Sequence, residues 1–383
     1  MRNVTGSRFW MWIGALGVVA GIAVAEARAA AQDLLVSSAN NHTVLRYDGV
    51  TGEPRGVFVP PGSGGLERAQ GLAYGPDGNL YVGSATAGTG PGTIKRYHGR
   101  TGAFIDTFAS GGGLTGPWEL MFRPDGNLYV GSYGDRRILR YNGTTGQYMG
   151  VFIPAADGDL GGFIFAPGDC LYVGNGRPVN NVLRYDAATG APTGEVIPPG
   201  HGLDGPSFMA FGPDGNLYIA GWYSYNVLRY DPYGRFIDAF VPSSPRTLVN
   251  PMGGVFGPDG NLYVADYGGG RVQRYNGMTG EHMGVFVSVN TPFWLVFMPH
   301  PADFDADNDV DLKDLERFLA CVTGPAIPYN PDALPPGCLM PSDANGRIAA
   351  DFDKDGDVDQ SDFGIFQRCF SGPGKAADPQ CTN

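Results

Sequence analysis

Pro76-Asp77-Gly78-Asn79-Leu80-Tyr81-Val82 is one copy of a recurring stretch. It returns at Pro124–Val130, Pro213–Ile219 and Pro258–Val264, and in an altered form, Pro-Gly-Asp-Cys-Leu-Tyr-Val, at Pro167–Val173. A shortened relative, Asp33-Leu34-Leu35-Val36, stands ahead of them all. Measured on the leucine (Leu34, Leu80, Leu128, Leu171, Leu217, Leu262), the intervals are 46, 48, 43, 46 and 45 residues. Each copy is followed by a four-residue echo with Arg-Tyr at its end: Val44–Tyr47, Ile94–Tyr97, Ile138–Tyr141, Val182–Tyr185, Val227–Tyr230 and Val272–Tyr275. Asp-Gly between two apolar runs signals a tight hairpin, because glycine accepts positive φ without a steric penalty. Thr-Gly pairs at Thr51, Thr101, Thr145, Thr189 and Thr279 mark a second turn in the unit. Every segment is too short for a helix and alternation dominates. Six such units of several short strands predict an all-β six-bladed propeller with four strands per blade.

The ends of the repeat region complement each other. The last unit supplies only its first strand, Phe293–Phe297, and the chain's first strand, Asp33–Ser37, lacks the strand that should precede it. Joined, they complete one blade, close the ring and remove two exposed sheet edges.

Ahead of this region, Arg2 and Arg8 precede an apolar run from Phe9 to Ala25 and a small-residue stretch, Ala27-Arg28-Ala29-Ala30-Ala31. That order is expected of a secretory signal peptide spanning 1–31, which makes the protein secreted, extracellular or envelope-associated, with no membrane span after cleavage. The propeller is then expected over 32–300 and a second module over 301–383. The net charge of −12 is concentrated in that module, which carries 16 Asp and Glu against 6 Lys and Arg. No basic footprint for nucleic acid is present.

The repeat resembles NHL-type repeats and the wider set of six-bladed propellers that includes gluconolactonase-like and strictosidine-synthase-like proteins. Propellers of this kind bind ligands on the face formed by the starts of the inner strands and the loops between second and third strands. The metal-dependent lactonases among them place carboxylates and an Asn there, and in this chain only Glu119 answers that role. A metal site needs several hard ligands converging on one point. The five histidines (His42, His98, His201, His282, His300) fall at unrelated places in the repeat and read as solvated loop residues. No catalytic residue is assigned. The same face gathers aromatic side chains: Trp118, Trp222, Tyr223, Tyr225, Tyr267 and Trp294, with Tyr133 and Phe293 beside them. Such rings make platforms for a glycan or peptide, or fill the channel. The expected function is non-catalytic recognition of an extracellular ligand, and the competing one is a lactonase-like or lyase-like enzyme.

The acidic module holds two twelve-residue segments, Asp303–Asp314 and Asp351–Asp362, 48 residues apart. Both place Asp at positions 1, 3, 5, 7, 9 and 12: Asp303, Asp305, Asp307, Asp309, Asp311 and Asp314, then Asp351, Asp353, Asp355, Asp357, Asp359 and Asp362. Oxygens at 1, 3 and 5 of a short loop converge on a hard cation, position 7 adds its carbonyl, and position 12 closes the sphere. Position 6 needs a residue tolerant of positive φ, here Gly356 and Asn308. Two calcium ions are expected, one per loop, with helices at Leu315–Val322 and Phe363–Phe370 and the valines at position 8 joining the loops. This pair of loop–helix units resembles the dockerin family over roughly 303–373. The resemblance implies calcium-dependent anchoring to a cohesin-like or cell-surface scaffold partner. Its recognition positions do not carry over, since Leu312-Lys313 and Gln360-Ser361 stand where small hydroxyl residues are favoured. Four cysteines allow three pairings. Cys321–Cys338 and Cys369–Cys381 respect the duplication, leaving Cys170 as a buried free thiol.

Overall fold

The computed structural model describes residues 32–155, 157–243, 248–304, 309–331, 333–338, 340, 346–373, 375, 377 and 381–382. The proposed signal segment, Asp305 and Asp307 lie outside them.

Six four-stranded antiparallel sheets stand around one axis. In the second blade the order from axis to rim is Leu72–Tyr74, Leu80–Ala85, Gly92–Tyr97 and Phe104–Ala109. The first blade is built from both ends of the chain. Its inner strand is Pro292–Phe297, and Leu34–Ser38 pairs with it through Leu34–Phe297, Leu35–Val296 and Val36–Leu295. The seam is reinforced from outside the ladder, where Met298 N donates to Asp33 O at 2.8 Å and Trp294 N to Ser37 Oγ at 2.9 Å.

The recurring sequence has a physical explanation. In the turn the Asp carboxylate accepts from the backbone N–H two residues on, from that Asn side chain, and from the Tyr hydroxyl of the next strand. For Asp77 these are Asn79 N at 3.1 Å, Asn79 Nδ2 at 2.9 Å and Tyr81 Oη at 2.9 Å. The tyrosine contact repeats at Asp125, Asp214 and Asp259. One carboxylate thereby ties turn to strand and satisfies the only polar atom of a buried ring. In the altered copy Gly168 and Asp169 both take positive φ, and Tyr172 donates to Pro232 O instead. Cys170, in place of the Asn, is half-buried rather than buried; it follows the exposed turn Pro167–Asp169, and its thiol donates to Gly168 O.

The two members of the Arg-Tyr echo part company. The tyrosine packs between blades: Tyr97 lies fully buried among Leu35, Val44 and Phe58 of the preceding blade. The arginine stays in its own blade, as Arg96 does over the Phe108 ring at 5.1 Å while paired with Asp106. A guanidinium keeps its charge, so it remains at the wet rim while the ring is buried.

The tail has its own apolar cluster, with Phe304, Phe318, Val358 and Phe366 among its members. Its helices are Leu312–Ala320 and Gln360–Cys369, starting earlier than the sequence pattern suggests. Asp311 and Asp359 at loop position 9 act as N-caps, each completed by Asp314 or Asp362 three residues on, so the helix begins at position 10. Val310 N bonds Ser371 Oγ and Val358 N bonds Thr323 Oγ1, both at 3.0 Å. Each valine thus engages the segment after the other unit's helix, an exchange that locks the two units together. The disulfides are Cys321–Cys338 and Cys369–Cys381. Among the described residues no helix is long and apolar enough to cross a membrane.

Candidate functional site

At one position of the inner-strand repeat, third in five of the strands and just ahead of Leu72–Tyr74 in the sixth, residue size alternates around the axis. Glu119, Phe208 and Trp294 come from alternate blades, with Gly71, Gly162 and Gly253 between them. The glycines are sterically required: a Cβ on Gly162 would sit 2.5 Å from Ser207 O, and one on Gly71 2.5 Å from Trp118 O. The large side chains pack between neighbouring inner strands, as Phe208 does against Gly254, and the glycines admit the neighbouring strand. Glu119 is buried there, with Oε2 accepting from Phe163 N at 2.7 Å. Loss of solvation pushes its carboxyl well above the usual carboxylate range, offset only in part by that N–H.

One layer outward, where the inner strands start, Ala39, Met252 and Phe293 make a small apolar cluster. Trp118, Trp222, Tyr267 and Trp294 pack against it. Trp118 stacks on Tyr133 with centroids 3.4 Å apart and meets Phe293 edge-on at 5.4 Å. Trp222 leans on Tyr267 at 5.6 Å. The loop tryptophan therefore shares in closing the channel as well as facing outward.

Between Trp118–Tyr133 on one side and Trp222–Tyr223 on the other lies a cleft of about 240 Å³. Trp222 and Tyr223 stand at 88° to each other. Asp159 and Arg177 complete its wall. Arg177 lies over the Tyr223 ring at 3.9 Å and donates from Nε to Asp204 Oδ1 at 2.8 Å, which holds the Asp204 carboxyl below its ordinary range. Asp159 is set by backbone bonds: its N donates to Arg177 O at 3.1 Å and its O accepts from Gly176 N at 2.6 Å. Burial, helped by Asp159 and Tyr223, pushes the Tyr133 hydroxyl up to about 12.

Of the residues singled out from sequence, Trp118, Trp222 and Tyr223 line this cleft. Tyr267 supports it from behind, and Trp294 sits deeper, among three apolar clusters. Tyr225 is not part of its wall; it turns the loop with φ of 55°. Asp159, Arg177 and Asp204 were not anticipated. Arg177 lies in a second-to-third strand loop, so its position in the repeat was the available signal.

Of the histidines, His300 departs from the expected solvated loop position, whereas His201 stays exposed in a loop. His300 is buried at the junction with the tail, its Nδ1 accepting from Ala302 N at 3.1 Å. His201 stacks on Phe236, and His42 Nδ1 accepts from Arg68 N.

The tail sits at the other end of the axis. Arg317 donates to Pro76 O in the turn after an inner strand, and Arg100 to Pro301 O at 3.2 Å. The second acidic loop brings oxygens of Asp351, Asp353 and Asp355 within 4.8 Å of one another, and those of Asp357, Asp359 and Asp362 likewise. Mutual repulsion adds to desolvation in raising the Asp353 and Asp357 carboxyls. Asp351 Oδ1 and Asp357 Oδ1 are buried without a hydrogen-bond partner. In the first loop Asp309, Asp311 and Asp314 converge and Asp303 is buried.

No family model matches the chain, and no curated protein does. Among solved structures, it is similar to a chain of the nidogen/laminin complex, at 15% identity and a TM-score of 0.56, covering 70% of this chain and 98% of that one. It also matches virginiamycin B lyase from Staphylococcus aureus, at 18% identity and a TM-score of 0.44, covering 56% and 68%. A computationally designed protein, Ika8, matches at 16% and 0.43, covering 70% and 76%. The first of these likenesses carries the propeller fold and nothing about a ligand.

Proposed function

We propose that this is a secreted, non-catalytic binding protein with two working ends. The propeller recognises a glycan or peptide through the aromatic cleft, and the dockerin-like tail anchors it, in a calcium-dependent way, to a cohesin-like or cell-surface scaffold partner. The observation that carries this reading is the opposite placement of the two: the cleft opens where the inner strands start, while the tail packs on the turns where they end. Anchoring therefore leaves the cleft accessible.

The acidic loops suit calcium. Asp351, Asp353, Asp355 and Asp362 would hold one ion, with the Asp357 carbonyl, and the buried unpartnered Asp351 Oδ1 is an oxygen that a cation would satisfy. Asp303, Asp309 and Asp314 belong to the equivalent set in the first loop, together with Asp305 and Asp307. The ion supplies charge neutralisation, without which clustered carboxylates oppose folding.

The lactonase-like or lyase-like alternative would need several polar groups converging near the axis. At the second and third positions of the inner strands Glu119 is the sole carboxylate, and it is engaged by a backbone N–H. Binding accounts for the aromatic cleft more directly.

Titration of glycan and peptide panels against intrinsic Trp fluorescence tests the first end. Saturable responses that disappear in Trp222→Ala are expected, and a silent panel would sink the reading. Pull-down from the native envelope with and without a chelator tests the second, which fails if capture ignores calcium.

A further inference from the structure

We infer that the cleft takes an alkylated ammonium group, such as a quaternary amine on a small molecule or side chain. This deepens the binding reading above and rests on it.

Asp159 and Arg177 are the two charged residues in the cleft wall. Arg177 is already neutralised by Asp204, with Nε and Nη2 both donating to that carboxylate. Asp159 has no such partner: among the described residues its carboxylate makes neither an ion pair nor a hydrogen bond. The wall is therefore left with one uncompensated negative charge. Closing a neutral ligand over it would strip water from an unpaired carboxylate, whereas a cation would meet an opposite charge.

Aromatic faces carry negative potential and attract cations within about 6 Å of the centroid, most strongly for Trp. Trp118, Tyr133, Trp222 and Tyr223 border the same space as Asp159, and Trp222 and Tyr223 stand perpendicular to each other there. Arg177 over Tyr223 shows the interaction already at work on the cleft's own wall.

At about 240 Å³ the cleft is smaller than the roughly 300–1,000 Å³ that enclose drug-sized ligands, and it suits a head group. A primary ammonium is strongly hydrated and loses much on entering an aromatic cleft. An alkylated one spreads its charge over methyl groups and loses less.

Trp fluorescence of the full mature chain in calcium buffer tests this with choline as probe and 3,3-dimethylbutan-1-ol as its neutral isostere. Choline should bind saturably and the isostere at least about tenfold more weakly. Asp159→Asn, which preserves shape, should weaken choline by a similar factor while leaving the melting temperature unchanged; Trp222→Ala should also weaken choline, with some loss of stability because Trp222 packs against the apolar cluster. Equal affinity for the isostere, or undiminished choline binding by a folded Asp159→Asn variant, overturns the inference. A response to glycans or neutral peptides with none to choline also overturns it while leaving the binding reading intact. Silence to both removes the two together.

Discussion

Deleting residues 33–48 removes the strand that closes the ring together with its neighbour, and the cost can be worked from burial. Leu34, Leu35, Val36 and Val44 are wholly buried, and Tyr47 is 8% exposed. At about 1.5–3 kcal/mol per buried apolar side chain, these five account for roughly 8–15 kcal/mol, an upper figure because a denatured chain is already partly compact. That is comparable to the ~5–15 kcal/mol by which a domain is usually stable. The deletion also exposes the second edge of Pro292–Phe297 and strands the outer strand Pro54–Val59 without a neighbour. The truncated chain should be aggregated or lack a cooperative transition by circular dichroism and size-exclusion chromatography. Leu35→Ala serves as the graded control, expected to fold but to lose about 2–5 kcal/mol in denaturant melts. A truncated chain that is soluble, monomeric and cooperatively melting would refute the closure argument.

Two glycines separate conformation from contact. Gly126→Ala should cost about 1 kcal/mol, since its φ of 79° is strained for alanine but nothing lies within 4 Å of a Cβ there; Gly146→Ala should cost clearly more in the same melts, because its Cβ would fall against the Phe108 carbonyl of the preceding blade. Glu119 is protonated more readily folded than unfolded, so its contribution is fully present below about pH 4.5 and is lost as pH rises through its elevated folded value. Glu119→Gln should therefore gain stability relative to the parent on going from pH 4.5 to 7.5, with a slope of up to about 1.4 kcal/mol per pH unit; a pH-independent difference would contradict that placement. Calcium at a hundredfold excess over its Kd should stabilise the tail by about 2.7 kcal/mol per ion, seen as a calorimetric shift that a chelator reverses and that Asp351→Asn and Asp353→Asn diminish. An unchanged tail transition would remove calcium from the proposal.

The six-blade count, the four-strand unit and the seam between the chain ends were all legible in the amino-acid order. They depend on local turns and on the number of repeats, both of which a linear pattern records. The Asp–Tyr contact behind the recurring stretch was legible as recurrence but not as chemistry, because the two groups meet only once the hairpin has formed. The helix starts were missed at Asp311 and Asp359, whose carboxylates cap the helix in addition to any role in a loop. The disulfide pairs followed from duplication alone.

The aromatic residues were visible as departures from the repeat, yet which of them share a space was not. Trp118, Tyr133, Asp159, Arg177, Trp222 and Tyr223 come from three different blades. Only the curvature of the ring brings their loops together, and only packing against Phe293 and Met252 decides which rings face the channel and which face the cleft. Likewise the tail's charge and loop spacing are written in its sequence, but its seat on the opposite end of the axis is decided by Arg317 and Arg100 reaching backbone carbonyls far away in the chain. Periodicity carries the frame because each blade repeats the same local physics. The site depends on contacts between residues that break the period, and those exist only after the ring has closed.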